Sequence, residues 1–398
     1  MKNIMLIVLV LLVSLTSCGT AEPIPATQAI EPTSTVDRPI SSPTLDPNES
    51  PPRNAQNEFK TDFTRHSVPY SDILSGGPPK DGIPAIDQPQ FVSVQEADSW
   101  LRSPEPVILI EVGEDARAYP IQILMWHEIV NDTVGGEPLI VTFCPLCNTA
   151  IAFKRTVDGQ VLDFGTTGRL RYSNLIMYDR PTESWWQQAT GEAIVGELLG
   201  KQLEFYPATI IAWEDFADQF PDGQVLSQDT GFSRSYGRNP YFGYDDINNS
   251  PFLYDGPRTP NQLPPIARVL TIDLNGDAVA YPYDTLSELV VINDVVGAME
   301  VSVFWQSGVA SPLDTSDTAT GRDVGTGAAF SRLVNGQLLT FTWDGTLIKD
   351  QGTNSTWDIF GRATDGELQG TQLTPVVAIN HFWFSWAAFK PETRVYVP

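Results

Sequence analysis

Short apolar runs separated by turn residues dominate the chain after residue 59, and they predict strands more often than helices. The run 107–112 ends at Gly113-Glu114-Asp115, a pattern typical of a strand leading into a hairpin. The run 139–143 leads directly into a cysteine. Between these runs, residues 120–130 carry apolar side chains at helical spacing, which predicts a helix. The predicted fold class is therefore a β-rich α+β fold.

The same pattern of residues occurs twice along the chain, which predicts an internal duplication. Residues 116–120 read Ala-Arg-Ala-Tyr-Pro, and residues 278–282 read Ala-Val-Ala-Tyr-Pro, an offset of 162. We expect repeat one at about 105–222, a connection rich in Gly, Pro, Asn and Tyr at 223–266, and repeat two at about 267–393. Two such pseudo-symmetric repeats are expected to pack as one globular unit, because neither buries its sheet alone.

The N-terminal end has the pattern of an export signal. A lysine precedes the apolar run 4–15, and Leu15-Thr16-Ser17-Cys18 resembles a lipidation box. We expect residues 1–18 to be a lipoprotein signal peptide, with the lipid attached to Cys18; a cleaved soluble signal is the alternative. Residues 19–58, rich in Pro, Ser and Thr, are predicted to be a disordered tether. The prediction places the folded part, 59–398, outside the cytoplasm and anchored to the bacterial cell membrane.

Charge and composition narrow the choice of partners. The chain has 24 basic and 49 acidic residues, a formal net charge of −25, and it contains no basic run. Nucleic-acid binding requires a basic surface, so the sequence argues against that class of protein. No second apolar run approaches the roughly 18 residues that span a bilayer. The predicted membrane contact is therefore the lipid on Cys18, and the protein or small-molecule partner stays unspecified.

Cys144-Pro145-Leu146-Cys147 holds the two thiols that remain once Cys18 carries lipid. Two cysteines at this spacing can form a disulfide, exchange disulfides or hold a metal. Comparing the two predicted repeats distinguishes residues that serve the fold from residues that could serve function. A residue present in both repeats is expected to serve the fold, and a residue present in only one repeat is a candidate for function. At the common offset the residues that differ are Cys144 against Gln306, Cys147 against Val309, and His127 against Leu289. Repeat two contributes His381, which lies in an aromatic run.

Six further segments of the sequence, taken together with the cysteine pair, form a pattern that is specific enough to indicate a protein family. They are residues 76–87, 118–120, 126–132, 178–179, 186–192 and 380–386. Together with the cysteine pair, these segments of residues 59–393 resemble the bacterial and archaeal DUF3179 family, whose function is uncharacterised. Some members of that family carry selenocysteine in place of a cysteine. The resemblance therefore implies a redox-active or strongly nucleophilic site, but it supplies no reaction or substrate.

Three hypotheses for the site remain open at the level of sequence. In the first, Cys144 and Cys147 form a thiol–disulfide redox site, and His127 lowers the pKa of the attacking cysteine and carries its proton. The protein would then be a thiol–disulfide oxidoreductase without a further cofactor. In the second, Cys144, Cys147, His127 and His381 bind zinc or copper. In the third, the pair is a structural disulfide in a non-catalytic binding module whose acidic, aromatic-rich cleft takes a peptide, sugar or protein.

Overall fold

A computed structural model describes residues 49–398. The predicted signal peptide, the lipidation site at Cys18 and most of the predicted tether lie outside the described residues. The last part of the predicted tether departs from the expectation, since Ala55–Glu58 is a short helix and Ala55 is fully buried. Packed sequence therefore begins before position 59.

Strands far outnumber helices, with 39% of residues in strands and 12% in helices, which confirms the predicted β-rich class. The described helices are short. They are Ala55–Glu58, Val94–Ala97, Ile121–His127, Trp213–Gln219, Tyr283–Leu289 and Trp383–Phe389, with 3₁₀ turns at Tyr70–Asp72 and Pro145–Cys147. None of these helices is long and apolar enough to cross a membrane.

The strands of the first half form three main sheets, in which almost all neighbours are antiparallel. In spatial order, the strands of the first sheet are Ile73–Ser75, Phe164–Arg171, Asn174–Asp179, Trp185–Gln187 and Glu192–Val195. Those of the second sheet are Glu204–Tyr206, Thr149–Lys154, Glu137–Cys144 and Ile129–Val134. Those of the third sheet are Thr209–Ala212, Pro106–Val112, Asp115–Pro120, Gln224–Leu226 and Phe91–Ser93. Thr156–Val157 and Gln160–Val161 form a small hairpin.

The strands of the second half form three further sheets and another small hairpin. In spatial order, the strands of the first of these sheets are Ile379–Phe382, Arg268–Leu274, Asp277–Pro282 and Arg394–Val395. Those of the second are Val291–Val296, Met299–Gln306 and Thr326–Ser331. Those of the third are Phe341–Trp343, Ile348–Asp350, Thr356–Trp357 and Ala363–Asp365. The hairpin joins Leu333–Val334 to Gln337–Leu338.

The predicted helix at 120–130 is shorter in the structure, and a strand takes its last residues. The helix Ile121–His127 ends at Glu128, whose φ of 58° is left-handed. The strand Ile129–Val134 follows at once and pairs with Glu137–Cys144. His127 is therefore the last residue of the helix, and Asn131, which falls just beyond the predicted helix, belongs to the strand.

The largest buried cluster draws side chains from both halves of the chain. Leu124 and Val141 pack in the same cluster as Leu313 and Phe384. Polar contacts also join the two halves of the chain. For example, the hydroxyl of Thr318 donates to the carboxylate of Glu105 at 2.8 Å. The described residues accordingly fall within one compact unit.

Candidate functional site

The two cysteines lie on a tight loop between neighbouring strands. Glu137–Cys144 and Thr149–Lys154 are antiparallel, and Cys144 pairs with Thr149 at the end of the ladder. Pro145 begins the 3₁₀ turn, where its fixed φ and missing N–H are tolerated. Asn148 ends the turn with a φ of 50°, a conformation that asparagine accepts more readily than most residues. The sequence Pro-Leu-Cys-Asn thus suits the loop that brings the thiols close together.

Both thiols are buried, free and directed at the same acceptor. Cys144 is 2% exposed and Cys147 is fully buried. The two Sγ atoms donate to the carbonyl oxygen of Ser173, at 3.8 Å from Cys144 and 3.4 Å from Cys147. The side-chain amide of Asn174 donates to the Sγ of Cys147 at 3.6 Å. No disulfide joins the pair, so the loop holds a dithiol.

The surroundings favour the neutral form of the first thiol. Burial raises the pKa of Cys144 well above its ordinary value, and the neighbouring Cys147 and the charge of Glu128 raise it further. An ionised thiol is the nucleophilic form. Cys144 is therefore held as a neutral thiol.

Glu128 is, beside Cys147, an ionisable side chain that acts on this thiol. The sequence offered it, with Asp81 and Asp132, only as a carboxylate that could line the site, because acidic residues are common in this chain. It is 8% exposed, and its carboxyl group makes no hydrogen bond or ion pair with any residue in the range 49–398. Burial raises the pKa of Glu128 to about 8. Its backbone is left-handed, with a φ of 58°, a conformation that is uncommon for residues other than glycine.

His127, the predicted proton carrier, has both ring nitrogens engaged elsewhere. Its Nδ1 lies 2.7 Å from the carbonyl oxygen of Pro84, and its Nε2 lies 2.7 Å from the hydroxyl of Tyr236. Burial lowers the pKa of His127, which favours the neutral ring. In the described part of the chain no hydrogen bond links this histidine to Cys144 or Cys147.

His381 reaches the cysteine loop from the second half through a threonine. The hydroxyl of Thr149 donates to the carbonyl oxygen of Cys147 at 3.1 Å and lies 2.9 Å from Nδ1 of His381. Because the Thr149 hydroxyl donates its proton to Cys147, it accepts a hydrogen bond from Nδ1 of His381. The ring is fully buried, its Nε2 has no hydrogen-bond partner, and burial lowers its pKa to about 3. His381 is therefore a neutral ring that supports the loop.

The geometry gives no support to the predicted metal ligand set. Within residues 49–398, no group of three or more His, Cys, Asp and Glu side chains is arranged to hold a metal ion. His127 bonds to Pro84 and Tyr236, and His381 bonds to Thr149. The structure therefore brings together Cys144 and Cys147, but it does not direct either histidine at their sulfur atoms.

Part of the predicted connection covers the thiols, and we call residues 236–254 the cover segment. The hydroxyl of Tyr244 donates to the carbonyl oxygen of Leu146 at 3.0 Å and accepts from the amide of Phe252 at 3.2 Å. The hydroxyl of Ser173 donates to the carbonyl oxygen of Phe252 at 2.6 Å. From the sequence, this segment was predicted only to be part of an irregular connection. Its tyrosines were the one sequence feature that indicated packing against the rest of the protein.

Of three comparisons with known proteins, the one with family models gives a match. A family model described as "Protein of unknown function (DUF3179)" matches residues 80–393. No match was found among curated proteins or among solved structures. The family match covers most of the chain, including the cysteine loop, Glu128 and the cover segment. The chain therefore belongs to the DUF3179 family.

Proposed function

We propose that this protein is an extracytoplasmic thiol–disulfide redox protein whose reactive pair is Cys144 and Cys147. The observation that carries the proposal is the convergence of two free sulfur atoms on the carbonyl oxygen of Ser173, at 3.8 and 3.4 Å. A structural disulfide would leave no free thiol, whereas both thiols here are free.

The proposed reaction is the reduction of a small disulfide by the protein dithiol. Cys144 forms a bond to one sulfur of the incoming disulfide, whose own S–S bond breaks and releases a thiol. Cys147 then attacks the sulfur of Cys144, releases the second thiol and closes a Cys144–Cys147 disulfide. The protein pair loses two electrons and two protons, and the small disulfide gains both. In the reverse direction the same pair oxidises a dithiol.

A lipid anchor on Cys18 is part of the proposal. The lipidation box Leu15-Thr16-Ser17-Cys18 supports it, and disulfide chemistry suits a compartment outside the cytoplasm. Intact mass of the protein recovered from the membrane fraction tests this part directly. A mature chain that begins at Cys18 and carries acyl groups is expected, and an unmodified Cys18 would contradict it.

We also propose that the folded part consists of two pseudo-symmetric repeats. The side-chain amide of Asn131 bonds to both backbone groups of Phe164, and that of Asn293 does the same with Phe341. Tyrosine hydroxyls donate to aspartates in each half, from Tyr119 to Asp132 at 2.5 Å and from Tyr281 to Asp294 at 2.8 Å. These paired contacts support a duplication in which the thiols were added to, or kept in, one copy.

Exchange with oxidised glutathione tests the redox function. The wild-type protein is expected to lose both free thiols and release reduced glutathione, because the two sulfur atoms lie on one short loop and approach the same carbonyl oxygen. Cys144→Ser and Cys147→Ser are each expected to abolish the intramolecular disulfide. Cys18→Ser is the matched control, because it removes the third cysteine and leaves the pair intact. Unchanged release of glutathione in either loop variant would contradict the proposal.

A second candidate function is ligand binding without chemistry, and a cavity favours it. The cavity measures about 440 Å³ and is lined largely by apolar side chains from both halves, among them Tyr206, Phe330, Phe360 and Val376. A fluorescent apolar probe such as anilinonaphthalene sulfonate tests it. Binding that is lost in Phe330→Ala and retained in Cys144→Ser would favour this function, whereas absence of binding to the folded protein would exclude such a site.

A further inference from the structure

We propose that the side-chain amide of Asn174 is a catalytic group in the second step of the exchange, in which Cys147 attacks the sulfur of Cys144. This inference rests on the proposed redox function and assigns a role in it to a residue beside the pair. Asn174 is fully buried, and its side-chain nitrogen donates to the Sγ of Cys147 at 3.6 Å. Among residues 49–398, no other side chain donates a hydrogen bond to either sulfur atom.

A tight turn places Asn174 at the cysteine loop. The strands Phe164–Arg171 and Asn174–Asp179 are antiparallel, and Tyr172 and Ser173 form the two-residue turn between them. Their φ values of 54° and 67° are both left-handed, a geometry for which asparagine and glycine are the usual turn residues. The carbonyl oxygen of Ser173 accepts from both thiols, and the next residue is Asn174. The turn therefore presents a carbonyl acceptor and an amide donor to the same pair of sulfur atoms.

The hydrogen bonds around Asn174 determine which atom of its side chain faces the sulfur. The backbone amide of Ala189 donates to Oδ1 at 2.9 Å, and the side-chain amide of Gln187 donates to the same oxygen at 2.6 Å. Because a backbone N–H can only donate, its contact identifies the oxygen of Asn174. The nitrogen then donates one hydrogen to Oε1 of Gln188 at 2.7 Å and the other to Cys147. The sulfur of Cys147 therefore faces a donor.

Gln188 holds the amide of Asn174 in this orientation. Its Nε2 donates to the hydroxyl of Thr142 at 3.0 Å and to the carbonyl oxygen of Thr149 at 3.2 Å, so its Oε1 is the atom that faces Asn174. Thr142 and Thr149 lie on the two strands that flank the cysteine loop. A donor that is fixed in advance needs no reorganisation when negative charge develops on its partner.

The second half keeps a neighbouring contact but lacks the amides. In each half a buried tryptophan donates to an aspartate, and these pairs, 171 positions apart, are Trp186 with Asp179 and Trp357 with Asp350. At the same offset, Asn174 corresponds to Gly345 and Gln188 corresponds to Ile359. The tryptophan–aspartate contact therefore forms without these amides, which occur in the half that contains the thiols.

The second step begins with one glutathione joined to the sulfur of Cys144. The sulfur of Cys147 bonds to the sulfur of Cys144, and the bond between Cys144 and glutathione breaks. The glutathione sulfur leaves with the bonding electron pair and takes up the proton that Cys147 gives up. As that proton departs, negative charge develops on the Cys147 sulfur, and the hydrogen bond from Asn174 stabilises this charge. The carbonyl oxygen of Ser173 is an acceptor and cannot do so.

The test follows the reaction with oxidised glutathione over time by acid quenching and intact mass, with Cys18→Ser in every protein. The mixed disulfide is heavier by one glutathionyl group, and the closed pair is two hydrogens lighter than the dithiol, so the two steps have separate readouts. Asn174→Ala removes the amide without adding charge. In this variant the second step is expected to slow at least about tenfold more than the first, so that the mixed disulfide accumulates.

Two results would overturn the inference while leaving the redox function in place. Closure of the pair at the wild-type rate in Asn174→Ala would show that the amide is not needed. Equal slowing of both steps would show that Asn174 has only a structural role. A wild-type dithiol that does not react with oxidised glutathione would overturn both this inference and the redox function.

Two further variants complete the experiment. Asn293→Ala is the matched control, because the amide of Asn293 bonds to Phe341 in the second half, and it is expected to leave both steps unchanged. If Asn174→Ala does not fold, Asn174→Asp serves instead, because a carboxyl oxygen keeps the acceptor role of Oδ1 while the donor to Cys147 is lost. The mixed disulfide is again expected to accumulate. In wild type it is expected to stay a minor species, and its accumulation there would also overturn the inference.

Discussion

At the scale of single residues, the buried carboxyl group of Glu128 couples stability to pH. Its ordinary pKa of 4.5 applies to the unfolded chain, and burial raises the pKa in the folded protein to about 8. Between these values the folded state holds a proton that the unfolded state has lost. The free energy of unfolding therefore decreases as pH rises through this window.

The substitution Glu128→Gln is expected to remove this dependence. Wild type and variant should have similar stability near pH 4, where the carboxyl group is protonated in both states. At pH 9 the variant should be the more stable, by up to about 4 kcal/mol, because it buries no charge. Urea denaturation at several pH values measures the difference. A constant difference across the whole range would contradict the raised pKa.

Residue patterns located the reactive pair but not its surroundings. The spacing of Cys144 and Cys147 and their absence from the second half identified them without a structure. Glu128 could not be distinguished from the other acidic residues, because its burial at a left-handed helix end is not visible in residue order. His127 attracted attention by its residue type, although its contacts are with Pro84 and Tyr236.

At the scale of elements, the cover segment controls access to the thiols. Tyr244 joins the segment to the cysteine loop through Leu146, and Ser173 joins it through Phe252. Since Cys144 and Cys147 are almost fully buried, we expect a reagent to reach them through movement of this segment.

The substitution Tyr244→Phe is expected to expose the thiols more often. It removes the hydroxyl that bonds to Leu146 and Phe252 but keeps the aromatic packing. Alkylation by iodoacetamide should become about threefold to tenfold faster. Tyr254→Phe is the matched control, because that hydroxyl bonds to Pro257, just after the segment, and not to the cysteine loop. Equal rates in wild type and Tyr244→Phe would show that the segment does not limit access.

Elements with a strong hydrophobic pattern were predictable, and their ends were not. The run 107–112 is a strand in the structure, as predicted, within Pro106–Val112. The helix predicted over 120–130 stops at His127, because Glu128 turns left-handed and the next residues pair with Glu137–Cys144. That pairing is a tertiary interaction, and helical spacing in a short window does not reveal it.

At the scale of the whole molecule, the two halves depend on each other. Val309, Leu313, Phe382 and Phe384 share the buried cluster that contains the helix Ile121–His127 and the strand Glu137–Cys144. His381 supports the cysteine loop through Thr149. The sequence predicted one packed unit from the inability of each repeat to bury its sheet, but it did not identify these contacts.

A fragment of residues 49–266 is therefore expected not to fold on its own. It keeps both cysteines but loses the apolar side chains of the second half that cover them. Near-ultraviolet circular dichroism during heating should show a sharp transition for residues 49–398 and none for the fragment. A fragment that unfolds cooperatively would contradict the shared core.

The central claim is that Cys144 and Cys147 form one redox couple, and intact mass after equilibration in glutathione redox buffers tests it most directly. The account predicts a single two-electron transition, in which the oxidised protein is two hydrogens lighter and both cysteines resist alkylation together. Cys18→Ser should show the same transition. Thiols that stay free at every ratio of oxidised to reduced glutathione, or that are modified separately as mixed disulfides, would contradict the account.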